Sequence, residues 1–192
     1  MKKLKGFIID SIDHKIGLSG LDKELVSHGI DILVCDGRSF LSIILLSFFF
    51  GTTERTFLYL IVLSCLRGHT GGWHSKTEFG CFVTYNISYL LLIWFSYCNI
   101  HQSLMNFGVL FSIVYIIRFS PVEHMNNPLS DPERNRNQKM STYYCVVFSF
   151  IYVVLLVHKQ TGLAATVCLA FAYNVILMEL LRRSDKRRSY GH

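Results

Sequence analysis

Residues 67–99 read RGHTGGWHSKTEFGCFVTYNISYLLLIWFSYCN, a short polar stretch that leads directly into a run of apolar side chains. The apolar part, 79–99, carries no charged residue and is long enough for a straight membrane-spanning helix, which needs about 20 residues. The sequence therefore predicts a helix that enters the membrane near residue 79. The polar residues that precede it would be held at the membrane edge.

Five more apolar segments accompany this one, at about 39–51, 56–66, 104–119, 143–157 and 161–181. Hydrophobic residues make up 51% of the 192 residues and charged residues only 17%, whereas a soluble domain would carry about a quarter charged residues. The first segment reaches the length of a full crossing only if residues 30–35 are added to it. The second is short, so a tilted or re-entrant helix, or one shielded by its neighbours, would also fit it. We expect an all-α polytopic membrane protein with about six transmembrane or re-entrant helices.

The residues before the first apolar segment favour amphipathic helices on the membrane surface, and a helix that caps the bundle fits them equally well. Apolar residues recur there at helical spacing, at Leu4, Phe7, Ile8, Ile12 and Ile16. We predict a single integral membrane domain over 1–192. It would comprise an amphipathic N-terminal region at 1–35, membrane helices over 36–181 and a basic cytoplasmic tail at 182–192.

Lysine and arginine are distributed unevenly between alternate loops. If the N-terminus is cytoplasmic, six crossings place 17 of the 19 basic residues on the inner side and leave only Arg55 and Lys159 outside. This asymmetry follows the positive-inside rule and predicts a cell-membrane protein with both termini in the cytoplasm. Four crossings, with the first two segments as a hairpin, would keep the same sidedness. The basic residues flank apolar runs rather than aromatic surfaces, so we expect no nucleic-acid partner despite the net charge of +6.

The polar stretch contains the signals for a turn followed by a helix start. Gly71 and Gly72 allow a sharp turn with unusual backbone angles. Ser75 could then cap the next helix, and Thr77 is a second candidate for the cap. Either choice places Cys81 within the first two turns, where the helix N-terminus favours the reactive thiolate.

Cys81 and His74 form a candidate nucleophile and base. On a continuous helix, residues seven positions apart lie about 10 Å apart along the axis, too far for proton transfer. The imidazole can reach the sulfur only if His74 lies in a turn before the helix. Arg67 could bind a carboxylate or steady the loop, and Glu78 could orient His74 or complete a capping box with Ser75. Backbone N–H groups of the turn could stabilise a developing oxyanion.

A metal site is the alternative for this stretch. Cys65, His69, His74 and Cys81 could supply ligands, but their spacings match none of the usual zinc arrangements. We predict neither a metal ion nor a cofactor. The other cysteines are expected to be thiols packed as small hydrophobes.

These residues together resemble the accessory gene regulator B family, membrane cysteine endopeptidases of Gram-positive quorum sensing. The similarity covers most of the chain, and its most specific part is the pattern Arg67-x4-Gly72-x-His74-x6-Cys81 before a membrane segment. It also includes 28–30 (HGI), 121–124 (PVEH) and 127–129 (NPL), followed by basic residues. The chain departs from many members at Met125-Asn126-Asn127, where they carry proline and lysine. That departure weakens the assignment of a basic substrate contact there.

The resemblance implies a function and the residues that perform it. The family's catalytic cysteine matches Cys81 and its catalytic histidine matches His74, while Arg67 and Gly72 match further positions of the pattern. The substrate would be an AgrD-like precursor peptide with an amphipathic leader, a central signal sequence and an acidic tail. The enzyme would remove the tail through a thioester on the cysteine and cyclise the product to a thiolactone or lactone. The resemblance also implies a homodimer in the lipid bilayer, with the active site at the cytoplasmic face.

The substrate contacts and two other functions stay open at this point. Glu123 lies in the matching loop, and the basic residues Arg134, Arg136 and Lys139 and those of 182–188 fit an acidic tail by charge. They fit simple topology determinants equally well. A small membrane transporter or peptide exporter, or a scaffold that presents a peptide to a partner, is the alternative. Loss of precursor cleavage on changing Cys81 to serine would separate the peptidase from both.

Overall fold

A computed structural model describes residues 20–72, 77–98, 101–123 and 129–189, together with positions 6, 10–11, 13–14 and 17. Six helices form in this part of the chain and no strand does, which confirms the all-α prediction. Their bounds are α1 Gly20–Phe50, α2 Thr53–Thr70, α3 Glu78–Tyr97, α4 Gln102–Phe119, α5 Asp131–Val157 and α6 Thr161–Ser189. Each apolar segment predicted from the sequence lies in one of these helices.

Three of the helices are long and apolar enough to cross a membrane: α4, α5 and the part of α6 from Thr161 to Ser184. The apolar part of α3 is shorter, at Phe79–Phe95. Large apolar side chains point away from the bundle, for example Phe49 (84% exposed) and Val157 (74% exposed). Such a surface is stable only against lipid, so the chain is a membrane protein. The number of complete crossings and the side of the termini stay predictions.

Helix α6 packs on α2, α3, α4 and α5, and α2 in turn packs on α1, α5 and α6. Tyr59, Val62, Leu63 and Leu66 are buried along α2, at the spacing that gives a helix one apolar face. Because the catalytic candidates follow directly after α2, this packing fixes the position from which the polar stretch starts.

Helix α1 packs on α3 and has a row of buried side chains along it. Ser39, Ile43 and Ser47 are spaced four residues apart along α1 and are all fully buried. The Ser42 hydroxyl donates to Asn86 Oδ1 across the same interface at 3.0 Å. The interface therefore holds α1 close to the start of α3.

Helix α1 is longer than the sequence indicated. It runs without a break from Gly20 to Phe50, so the predicted join between an amphipathic region and the first membrane helix, at about residue 35, lies inside one helix. The apolar positions that suggested surface helices before residue 20 lie outside the described residues.

The polar residues 120–142 separate the apolar segments at 104–119 and 143–157, and part of them is helical because α5 already begins at Asp131. The backbone N–H of Ser130 donates to Glu133 Oε2 at 3.0 Å, and the Ser130 hydroxyl donates to the same oxygen at 2.6 Å. This capping pair, with Pro132 in the first turn, starts the helix well before the apolar segment. The polar residues up to 142 are therefore helical.

The antiparallel helices bring most of the charged residues to one end of the bundle. This end contains the C-termini of α2, α4 and α6 and the N-termini of α3 and α5. The basic residues of these termini are Arg67, Arg118, Arg134, Arg136, Lys139, Arg182 and Arg183. At the opposite end Arg55 lies against Gly162, close to Lys159. The three-dimensional charge distribution thus agrees with the asymmetry seen in the sequence.

Candidate active site

The turn after α2 requires both of its glycines. Gly71 and Gly72 have φ angles of +70° and +153°, which side chains other than glycine rarely adopt. A Cβ atom on Gly71 would lie 2.2 Å from the carbonyl oxygen of Val122, and one on Gly72 would lie 3.4 Å from Leu177 Cβ. The turn therefore fits tightly between the loop after α4 and the side of α6.

Two hydrogen bonds fix the end of α2 in this position. The Val122 N–H donates to the carbonyl oxygen of Thr70 at 2.8 Å. The Thr70 hydroxyl donates to Asn174 Oδ1 on α6 at 3.1 Å, and both side chains are fully buried. The helix that ends here does not continue into α3, so the break that the chemistry requires between His74 and Cys81 is present.

Helix α3 begins at the second of the two caps that the sequence offered. The Thr77 hydroxyl accepts a hydrogen bond from the Gly80 N–H at 3.1 Å, and Glu78 is the first helical residue. The capping box expected between Ser75 and Glu78 is therefore not what starts the helix. The Cys81 N–H donates to the Thr77 carbonyl at 3.1 Å and closes the first turn. This places Cys81 within the first two turns, as predicted.

The Cys81 sulfur faces the bundle interior and not the lipid. Its side chain is only 6% exposed. Its Sγ atom, the Cys35 Sγ atom and a carboxylate oxygen of Asp36 all lie within 4.8 Å of one another. Cys35 and Asp36 belong to α1 and Cys81 belongs to α3, so the packing of these two helices brings the three side chains together. We call Cys35, Asp36 and Cys81 the thiol–carboxylate cluster.

Arg67 supplies positive charge beside this cluster. It lies on the last turn of α2, half-buried, with its guanidinium carbon 5.1 Å from the centre of the Tyr85 ring. Its charge acts on both Asp36 and Cys81. The sequence predicted that Arg67 binds a carboxylate or steadies the loop, and this role stays a prediction.

The other half of the candidate pair cannot be placed. His74, with Trp73, Ser75 and Lys76, lies outside the described residues, and so does the side chain of Glu78. The predicted roles of His74 and Glu78 therefore stay predictions.

The predicted substrate-binding residues lie on the loop after α4 and on the first turns of α5. Arg134 donates to Glu123 Oε1 at 2.5 Å and also lies 3.8 Å from Asp131. The Arg134 guanidinium holds the pKa of the Glu123 carboxyl below its usual value. Arg136 and Lys139 are exposed on α5. Of the three basic residues, Arg134 is thus already paired within the protein.

The metal alternative drawn from the sequence is not assembled in the described part of the chain. His69 stacks on Tyr144 with ring centres 5.5 Å apart, and its Nδ1 lies 3.3 Å from Asn137 Oδ1. It therefore packs towards α5, whereas Cys81 packs towards α1. Within the described residues, the cluster of ligand-type atoms is Cys35, Asp36 and Cys81.

Sequence reasoning missed Cys35 and Asp36 as neighbours of Cys81. The sequence predicts only a thiol packed as a small hydrophobe at Cys35, and Asp36 is a charged residue just before the first apolar segment. One signal was available: a carboxylate so close to an apolar run is costly unless it has partners. The partner could not be identified, because it depends on how α1 packs against α3.

The fold and the site define a helical membrane protein with a buried thiol at a helix N-terminus, next to an arginine and a glycine turn. The family described as Accessory gene regulator B matches residues 7–179, and the chain belongs to this family.

Similar proteins agree with this membership. The AgrB-like protein 2 of Clostridium perfringens (strain 13 / Type A) is 24% identical over 187 residues, which cover 91% of this chain and 87% of that protein. An AgrB-like protein of the SM101 strain is 21% identical over 167 residues, 82% of this chain and 78% of its own length. The protein FsrB of Enterococcus faecalis (strain ATCC 47077 / OG1RF) is 49% identical over 43 residues, 22% of this chain and 18% of its own. No solved structure matches the chain.

Proposed function

We propose that this protein is a membrane-embedded cysteine endopeptidase of quorum sensing. Its substrate is an AgrD-like precursor peptide, from which it removes the C-terminal tail and cyclises the remainder. Membership of the Accessory gene regulator B family supports a precursor peptide as the partner. The observation that carries the proposal is the break between Thr70 and Glu78, which puts Cys81 in the first turn of a new helix. A continuous helix would have kept His74 away from the sulfur.

The first step is acyl transfer to Cys81. His74 takes the proton from the Sγ atom, and the thiolate attacks the carbonyl carbon at the boundary between signal and tail. A carbon–sulfur bond forms, the carbon–nitrogen bond breaks, and the tail leaves as an amine with the proton from His74. The signal part stays on Cys81 as a thioester.

The second step releases the product. A thiol or hydroxyl of the bound signal peptide attacks the thioester carbonyl and forms the thiolactone or lactone. The bond between the carbonyl carbon and Cys81 Sγ breaks, and the proton of the attacking group passes through His74 to the Cys81 thiolate. Exchange of one thioester for another costs little free energy, but water competes as a nucleophile. Cys81 is almost completely buried, and this exclusion of water favours cyclisation over hydrolysis.

The surroundings of the sulfur fit this chemistry. The N-terminus of α3 and the charge of Arg67 both stabilise negative charge on Cys81. The carboxylate of Asp36 and the burial of the site oppose it. A base is therefore needed at the moment of attack, which is the role we assign to His74.

The acidic tail of the precursor is expected to bind the exposed start of α5. Arg136 and Lys139 are solvent-facing there. Arg134 is less suited, because its guanidinium is bound to Glu123. These residues lie at the same end of the bundle as Cys81, so one extended peptide can contact both. We place this end at the cytoplasmic face because it carries most of the basic residues.

An exporter would be expected to carry ionisable groups along a path through the bundle. The acidic residue in the C-terminal half of α6, Glu179, is instead paired with Arg183 at 2.8 Å and with Arg182 at 3.4 Å. It also accepts a hydrogen bond from Tyr115. These contacts describe a structural cluster near the end of the helix, and no observation favours export over acyl transfer.

The test is cleavage of a candidate precursor by the full chain reconstituted in lipid vesicles. Cys81→Ser and His74→Ala should each abolish release of the tail, while Cys145→Ser, at a fully buried thiol of α5, should retain it. A precursor whose internal nucleophile is replaced by alanine should leave an adduct on Cys81 that intact-mass analysis detects. Wild-type cleavage rates in the Cys81→Ser protein would refute the proposal.

A further inference from the structure

The thiol–carboxylate cluster has one polar atom that the fold does not satisfy. Asp36 Oδ1 is buried without a hydrogen-bond partner, and within the described residues it is the one side-chain nitrogen or oxygen of this kind. A buried oxygen in this state costs about 1–3 kcal/mol. The Asp36 carboxylate lies in the cluster with the sulfur atoms of Cys35 and Cys81. Three groups of metal-ligand type thus converge, and one of them has a lone pair directed at no protein donor.

The donor set has a clear chemical preference. Two thiolates and one carboxylate are the ligands of zinc and similar soft divalent ions, and three protein ligands with one open position make a common zinc geometry. Ligands about 2.3 Å from a tetrahedral ion lie about 3.8 Å apart. The ligand atoms already lie within 4.8 Å of one another, so small side-chain rotations would bring them to the ion.

The charges around the cluster also balance when such an ion binds. Without the ion, the charge of Arg67 acts on the Asp36 carboxylate. Tyr85 on α3 and Tyr173 on α6 are further titratable groups that interact with Cys81. Binding of a divalent cation with loss of both thiol protons leaves the total charge of the site unchanged. The two thiolates neutralise the ion, and the Asp36 carboxylate still offsets the positive charge of Arg67.

We propose that Cys35, Asp36 and Cys81 form a binding site for Zn²⁺ or a similar thiophilic divalent ion, and that the bound ion blocks the nucleophile. The ion would occupy the lone pair with which Cys81 attacks a carbonyl. The binding site does not depend on the proposed function, whereas its inhibitory effect rests on that function. This binding site differs from the metal site that the sequence offered as an alternative, because neither Cys65 nor His69 is one of its ligands.

Binding is tested with Cd²⁺, whose bonds to thiolates absorb in the ultraviolet. The full chain in detergent micelles should bind one Cd²⁺ at this site, and Cys35→Ser, Asp36→Asn and Cys81→Ser should each weaken binding by about 10-fold or more. Cys145→Ser and Cys168→Ser are matched controls, because these thiols lie on α5 and α6, and should leave the affinity unchanged. Equal losses in the controls, or no loss in Cys35→Ser, would overturn the proposal.

A second measurement avoids variants that could fold poorly. In the wild-type chain, stoichiometric Zn²⁺ should protect Cys35 and Cys81 together from alkylation, and mass spectrometry of the peptides reads out each position. Cys98 is exposed and provides the internal control, since its labelling should not change. Protection of Cys81 without Cys35 would show a different site and overturn the proposal.

The inhibitory effect is then measured on cleavage of a precursor. Zn²⁺ should inhibit wild-type cleavage, and Cys35→Ser should raise the half-inhibitory concentration by the same factor that it lowers Cd²⁺ affinity. Each variant is compared with its own activity in the presence of a chelator. If Cd²⁺ binds as expected but no precursor is cleaved under any condition, the binding site stands and the proposed function fails.

Discussion

Gly71 lies so close to Val122 that a Cβ atom on the glycine would be 2.2 Å from the valine carbonyl oxygen. The preceding residue, Thr70, accepts a hydrogen bond from the Val122 N–H at 2.8 Å. The loop after α4 therefore holds the end of α2, and with it the start of the segment that leads to Cys81. The geometry of the candidate active site depends on a contact between residues about fifty positions apart.

This contact predicts that Gly71→Ala destabilises the protein and reduces cleavage. The added Cβ would overlap backbone that cannot move without breaking the Val122 hydrogen bond, and φ of +70° is unfavourable for alanine. We expect a loss of about 1–3 kcal/mol, measured as a lower thermal unfolding midpoint in detergent.

Gly68→Ala is the matched control for this substitution. Gly68 lies inside α2, and a Cβ there meets nothing within 4 Å. Alanine at a helical glycine position should stabilise by about 0.5–1 kcal/mol. If both substitutions lowered the unfolding midpoint equally, the contact with Val122 would not be the cause.

The sequence predicted the helices but not all of their ends. Apolar segments mark where helices are covered by lipid or by other helices, and all six appear in the structure. Helical structure before residue 36 was expected, but not its unbroken continuation into the first membrane helix, and the extension of α5 to Asp131 was not expected. Hydropathy does not report where a helix continues beyond the apolar region, and the Ser130–Glu133 capping pair was the local signal that would have corrected α5.

The sequence predicted those parts of the candidate site that depend on residues close together in the chain. The glycine turn, the helix break and the position of Cys81 follow from residues within a few positions of one another. Cys35 and Asp36 reach Cys81 across more than forty residues, through the packing of α1 on α3. Sequence periodicity cannot specify such a contact, since several helix pairs would bury the same apolar faces.

Arg67 and Asp36 should stabilise the protein as a pair. Arg67→Ala would leave the carboxylate of Asp36 with less compensation in a poorly solvated site, which costs up to about 3–5 kcal/mol where burial is complete and less for these half-buried groups. Asp36→Asn in the same chain should restore part of the loss, because the uncompensated charge is removed. Thermal unfolding of the two single variants and the double variant gives the coupling free energy.

If the losses of stability in the two single variants simply added up in the double variant, the two groups would act independently. Arg67→Lys is a second comparison, since it keeps the charge but loses the planar contact with the Tyr85 ring at 5.1 Å. A smaller loss than in Arg67→Ala would measure how much of the effect is charge alone.

Arg136 and Lys139 should determine how tightly the acidic tail of a precursor binds. Changing either to glutamate should raise KM for cleavage with little change in kcat, because the residues contact the tail and not the reacting atoms. The increase should shrink at high salt, where exposed charges are screened.

Arg134→Gln serves as the comparison for these two variants. Its guanidinium is already bound to Glu123, so its effect on KM should be smaller. An equal rise in KM for all three would mean that Glu123 releases Arg134 when the peptide binds.

The Glu123–Arg134 pair predicts a pH dependence of stability with a definite sign. The Arg134 guanidinium lowers the pKa of Glu123 from its usual 4.5 in the folded protein. A carboxyl whose folded pKa is lowered contributes stability above the unfolded value, and this contribution is lost as the pH falls through the folded pKa. The pair is partly exposed, with side-chain exposures of 22% and 49%, so the contribution is about 0.2–1 kcal/mol.

Glu123→Gln should therefore lower the unfolding midpoint at neutral pH, and its difference from the wild type should disappear in acid, at a pH below the usual pKa of a glutamate. Arg134→Gln should show the same loss at neutral pH, and the double variant should lose no more than either single one. A difference between wild type and Glu123→Gln that persisted unchanged into acid would mean that the glutamate stabilises the loop by packing and not by its charge.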